Sequence, residues 1–293
     1  MPRWSAIART TVVEMLSDPL ALLVLLAALV MAVMAPAFHY HQFGEATRMA
    51  RDAGLSALFT CGTAFAVFTT IRAFRREVES GTLEMALAHP VSRTGFFLAK
   101  TFGAFMAYAV FLAIVVATSL VIVVGAAIGG DMAVRSGDVA RLYGPCFAAG
   151  VAVIVLPLVV GAALNRFARF RFGLSSFVSA LVIAFAAAVV FFRPALFARL
   201  APAFALVALV ALVPLSAAAA FAVRLRANAA AAAAGVVFAV SLPAAGSYFL
   251  SDALSNGGSI SWGYVALAAL AAAPAVAFFL VLGSGFMAGR DAS

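Results

Sequence analysis

The residues of this chain that could do chemistry crowd between Arg72 and Lys100. Arg72, Arg75 and Arg76 are followed by Glu77, Glu79 and Glu84, and then by Arg93 and Lys100. Ser80 can cap a short helix that runs to about His89 and stops at Pro90. On that helix Leu83 and Leu87 share one face, with Met85 alongside. Ser92 is placed to cap the helix that follows. An apolar face rimmed by charge, on a helix fixed at both ends, suits the docking of another protein better than bond-breaking. The other polar residues are milder. Thr60, Thr63, Thr69, Thr70, Ser175, Ser176 and Ser179 either line a path for an amphiphile or bond neighbouring helices together. His39 and His41 flank Tyr40 and form an interfacial aromatic belt; His89 falls in a different loop and cannot complete a metal site with them. Cys61 and Cys146 have no CxxC partner and read as apolar filler.

The same inventory excludes several activities. There is no GxSxG, HExxH or CxxCH, and no pair of charges is expected to be buried together. Without GxxxxGK[ST] the chain binds no ATP of its own, and no metal or other cofactor is expected in it. No Asp, Glu, Lys, Arg or His falls deep in an apolar run, which argues against proton- or sodium-coupled pumping.

Those runs are the elements that must position the candidate residues. Of 293 residues 66% are apolar and only 10% charged, with a mean hydropathy of +1.14. A soluble domain is roughly a quarter charged. Apolar stretches of about 20 residues cross a ~30 Å hydrocarbon core as helices. Eight are expected: 20–38, 55–74, 102–128, 143–164, 172–192, 201–223, 227–250 and 262–287. The seventh opens on the weakly hydrophobic Ala229–Ala234, which also fits half of a re-entrant hairpin. Pro157, Pro214, Pro243 and Pro274 are expected to kink their spans. The fold class is thus an all-α polytopic transmembrane bundle.

The net charge of +8 is not a nucleic-acid signature. Eighteen of the 19 basic residues are Arg, which with the abundance of Ala points to a GC-rich bacterial genome. With the N-terminus inside, thirteen of the 19 fall on the cytoplasmic side, so both termini are expected there, in a bacterial cytoplasmic (inner) membrane. The outer Arg residues mostly have acidic neighbours, Glu45 and Asp52 in one loop and Asp131 and Asp138 in another. Residues 1–18 read as an interfacial amphipathic helix. Trp4, Ile7, Ala8, Thr11, Val12 and Met15 share one face, Arg9, Glu14, Ser17 and Asp18 lie off it, and the chain turns at Pro19. Acidic residues ahead of the apolar run make a cleaved leader the poorer reading. Residues 19–293 then form one permease-like domain, with a cytoplasmic loop at 75–100.

At that loop the sequence resembles the membrane subunits of type 2 ATP-binding-cassette exporters. The family pattern, a basic cluster, Glu-x-Glu-x-Gly-Thr-Leu-Glu, then Pro-Val-Ser-Arg and a Lys at the mouth of the third span, stands here as Arg76, Glu77, Glu79, Gly81, Thr82, Leu83, Glu84, Pro90, Val91, Ser92, Arg93 and Lys100. The resemblance extends over about residues 1–170. It implies a permease subunit that pairs with a second permease chain, like or unlike, and with separate ATPase subunits that bind the ATP. It also implies that Arg76, Glu77, Glu79, Ser80, Gly81, Thr82, Leu83, Glu84, Leu87, Pro90 and Arg93 couple ATPase to spans. Two departures stand out: six spans are usual in the family, and Ala99 replaces a usual Gly. A membrane-embedded enzyme of lipid metabolism and a non-transporting membrane anchor are the competing functions. Cargo is not named, although an uncharged interior suits an amphiphile.

Overall fold

The computed structural model describes residues 3–34, 46–79, 92–136, 139–249 and 260–289, with side chains omitted at 3, 46, 78–79, 129–136, 139–143 and 241–249. Nine helices and no strand occur among the described residues. They are α1 Arg3–Leu16, α2 Pro19–Met34, α3 Ala46–Glu79, α4 Arg93–Ser136, α5 Val139–Ala168, α6 Phe172–Val190, α7 Pro194–Arg224, α8 Ala227–Phe249 and α9 Trp262–Ala288. The protein is a polytopic helical bundle.

Six of them, α3, α4, α5, α6, α7 and α9, are long and apolar enough to cross a membrane alone. Of the other two expected spans, α2 is shorter as described, whereas α8, with 23 residues, follows its expected 227–250. Helix α2 has 16 residues and reaches membrane length only together with α1, from which it is bent by 63°. In α8 the apolar stretch with described side chains is 227–240. Six helices, or seven with α1 and α2 taken as one bent span, pass by length and composition among the residues with described side chains, and a helix stands at each of the eight expected spans.

The bend between α1 and α2 has a local cause. Asp18 is the hinge residue, its carboxylate accepting the Leu20 N–H at 3.1 Å, and Pro19 opens α2 where an N–H would have had no partner. Helix α1 turns Thr11, Met15 and Leu16 inward and leaves Trp4 half exposed. Its seat is a close backbone approach to α4. A Cβ on Gly103 would lie 2.6 Å from the Ala8 carbonyl oxygen, so only glycine fits there.

Helix α4 is the spine of the bundle. It has 44 residues without a proline, about 66 Å at 1.5 Å per residue, and packs against α1, α2, α3, α5, α6, α7 and α9. Phe65, Tyr108, Phe111, Ile114 and Phe177 are fully or almost fully buried around its middle, with Phe65 and Phe111 stacked at 4.6 Å. Helix α7 packs against α3, α8 and α9 through the small run Ser216–Ala220, all of it inaccessible, and small residues let membrane helices approach closely. The expected kinks do not break the helices: α5 runs through Pro157, α7 through Pro214 and α9 through Pro274. Outward faces carry Leu23, Phe185, Val190, Leu270, Phe278 and Val281, an apolar surface that water would not tolerate and lipid does.

The hydroxyls mostly bond backward along their own helices. Thr60, Thr63 and Thr69 donate to the carbonyls of Ser56, Phe59 and Phe65 four residues earlier. Ser175 and Ser179 do the same and graze the α5 carbonyls of Gly161 and Pro157 at 3.5 Å. Hydrogen bonding between helices therefore describes α6 weakly, while in α3 Thr63, Thr69 and Thr70 are buried in the packing.

Candidate functional site

The candidate site lies where α3 ends, α4 begins and α1 crosses them. Apolar patterning stops at Phe74, yet α3 continues as helix to Glu79, and α4 starts nine residues ahead of its expected Phe102. The charged residues on these extensions are therefore held on helices and not in a loop, and those with described side chains face several neighbouring elements.

Arg72 and Arg76, one helical turn apart, face α1 and the hinge after it. Arg72 Nε meets Asp18 Oδ2 at 2.9 Å, and Arg76 Nη1 meets Glu14 Oε1 at 3.4 Å. The two pairs run in opposite chain directions, as two crossing helices with acid and base each spaced four residues apart allow. Asp18 thus caps α2 and anchors α3 together while only 5% exposed. Arg75 turns the other way and donates to the Leu225 carbonyl at the end of α7, at 3.4 Å.

Glu77 faces α4. Its Oε2 lies 2.6 Å from Lys100 Nζ, and Lys100 is fully buried while Glu77 keeps 27% of its side chain exposed. The Lys100 ammonium also lies 5.3 Å from the centre of the Phe74 ring and 6.0 Å from that of Phe96, distances at which aromatic faces attract a cation. A buried, paired charge corrects the expectation that none would occur. The extension of α3 beyond Phe74 and the early start of α4 carry the bundle past the apolar runs and enclose Lys100. Burial is the main influence on Glu14 and raises its carboxyl above the ordinary range; Lys100 and Arg76 draw it back, and Glu77 pushes it up.

Ser92 caps α4 as expected, its Oγ accepting the Gly95 N–H at 3.1 Å, and Arg93 follows half-buried as the first helical residue. The turn between α5 and α6 closes the same end of the bundle. The Asn165 amide donates to the Phe170 carbonyl at 3.0 Å, and Arg169 takes the left-handed φ of 55° that reverses the chain.

Of the expected site residues, Arg76, Glu77 and Arg93 are thus placed at one joint. Glu79 ends α3, its side chain undescribed, and Ser80, Gly81, Thr82, Leu83, Glu84, Leu87 and Pro90 lie outside the described residues, as does the helix expected on them. Sequence reasoning missed Glu14, Asp18 and Arg72 as partners in one lock. The signal was present: two acids and two bases, each four residues apart, on helices of opposite run. The arrangement holds no nucleophile with a base. It ties the ends of α3 and α4 to α1 and α7, so a displacement of 80–91 must move several helices together.

The comparisons agree with this architecture. The family model described as "ABC-2 family transporter protein" matches residues 17–187, more than half of the chain. No curated protein and no solved structure matches it. The matched region begins at the α1–α2 hinge, takes in the joint except for α1 with its Glu14, and ends inside α6. The chain belongs to the ABC-2 transporter family, as a membrane-spanning permease protein.

Proposed function

We propose that this permease works as an exporter of a hydrophobic or amphiphilic compound, driven by a separate ATPase subunit that docks on residues 79–90. The observation that carries the proposal is the lock around Glu77 and Lys100. The segment is flanked by two helix ends that are each fastened to other helices, so a partner that moves it moves the bundle. The apolar interior supports an amphiphilic cargo. In this reading the chain pairs with a second permease chain and sits in the bacterial cytoplasmic membrane with both termini and the docking segment inside. ATP is bound by the partner alone.

The docking energy would come from a few apolar anchors rimmed by charge, and truncating such an anchor costs over about 2 kcal/mol at a hot spot. The double change Leu83→Ala with Leu87→Ala should release the ATPase on co-purification from membranes, or leave its ATP turnover unlinked to transport. Glu79→Lys with Glu84→Lys should weaken assembly more at low salt than at high salt, because exposed charge pairs are screened. Equal changes at Arg135 and Arg141 should leave assembly intact. Full assembly and transport by the loop variants, with loss in the Arg135/Arg141 control, would refute both the docking segment and the orientation.

A further inference from the structure

At the end of the bundle away from the joint, a cavity of about 610 Å³ opens between α4, α6 and α7. Its wall is made by Leu112, Val116 and Leu120 of α4, Phe185 and Val189 of α6, and Phe197 of α7. The volume is in the range of pockets that bury small molecules, roughly 300–1,000 Å³. A second cavity of about 310 Å³ continues from it, sharing Val124, Arg193 and Leu196 and ending at Ile128 and Arg199. Phe192 and Phe197 pack at 5.9 Å where the apolar wall gives way to the two arginines. The other outward Arg residues with described side chains meet acid: Asp52 lies 3.9 Å from Arg48 and 2.9 Å from Arg51. Arg193 and Arg199 form no ion pair among the described residues, and the segment 191–202 that carries them contains no Asp or Glu.

We propose that this groove binds an anionic phospholipid of the bilayer, with an acyl chain between α4, α6 and α7 and the phosphate on Arg193 and Arg199. The inference is independent of the transport reading. An acyl chain gains little by leaving lipid for an apolar wall, because the tails it leaves are equally apolar. Preference must therefore come from the head. Two guanidiniums at one mouth offer forked donors matched to a phosphate, and a negative net headgroup charge completes what the described residues leave uncompensated. A zwitterionic head brings its own cation to the same place and loses that advantage.

The test uses the purified full chain, stripped of lipid in detergent and offered equal amounts of phosphatidylglycerol and phosphatidylcholine with identical chains. Lipid retained per protein is read by native mass spectrometry. Wild type should retain phosphatidylglycerol over phosphatidylcholine by on the order of tenfold, the scale of two surface cations acting on one anionic head. Arg193→Gln with Arg199→Gln should bring the ratio to parity, and the double Lys variant should keep part of it. Arg224→Gln with Arg226→Gln, an equal loss of charge at the opposite end, should leave it unchanged. Ala113→Phe with Ala188→Phe, which fills the groove, should lower retention of the anionic lipid. A wild-type ratio near one overturns the proposal, as does an equal fall in the opposite-end control or retention undiminished in the filled variant. Transport and ATPase assembly do not enter the readout, so its failure would leave the exporter reading standing.

Discussion

Removing one member of a buried ion pair strands the other, so the two ends of the Lys100–Glu77 contact should respond unequally. Glu77→Gln leaves a fully buried ammonium without its anion, a change that costs roughly 3–5 kcal/mol at full burial and less here, where Glu77 reaches solvent. Lys100→Met leaves a carboxylate that water can still approach and puts an unbranched apolar chain between Phe74 and Phe96. Thermal melts in detergent should rank Glu77→Gln as the more damaging, with the double variant recovering part of the loss. Additive losses, or a worse outcome for Lys100→Met, would show that the pair does not act as a unit. Glu14→Gln should matter less, within about 1 kcal/mol, because Arg76 is 53% exposed and water screens that contact. Lys100 was visible in the sequence as a conspicuous position, the single Lys among 18 Arg, but its burial was not. Nothing in the local pattern says that Glu77 will be brought to it, since that depends on two helices outrunning their apolar stretches.

At the scale of elements, the seat of α1 on α4 rests on Gly103 more than on any side-chain contact. Gly103→Leu should drive α1 off the bundle, at about the 1–3 kcal/mol that overpacking costs, and Gly103→Ala should do so partly. The readout is tryptic cleavage at Arg9 in the folded, membrane-embedded protein, which should speed up in that order. Gly285→Ala, where an added Cβ meets nothing within 4 Å, is the matched control and should not change it. Cleavage at the wild-type rate in Gly103→Leu would show that α1 is held by other means. The hinge at Pro19, the Ser92 cap and the six long spans were legible because each has a local cause: a fixed φ, a hydroxyl at a helix start, a run of apolar residues. The helical course of 75–79 was not, because charge there resembles a loop until α1 and α7 supply partners for it. The fit at Gly103 is a property of two helices at once and leaves no trace in either alone.

For the whole molecule the decisive feature is that one unbroken helix, α4, runs from the charged joint past the Arg193–Arg199 groove. Along it, Lys100 and Val124 are separated by 24 residues, about 36 Å. A continuous helix with no proline hinge and neighbours on most sides is suited to transmitting displacement along its length. Spin labels at Arg93 and Ile128 should keep their separation when the assembled transporter is taken from its nucleotide-free to its ATP-bound state, while distances from either label to α9 change. A shift of several ångströms between the two α4 labels would mean that the helix bends and that its ends are independent. A rod of this kind also fixes the order of events in time. Under the proposed function, the end that meets the ATPase and the end that meets the outside move as one body, because α4 forms part of both. Opening at one end would then be tied to closure at the other, and an exporter built in that way would expel a bulky amphiphile without letting the cell's ion gradients run down through the hole.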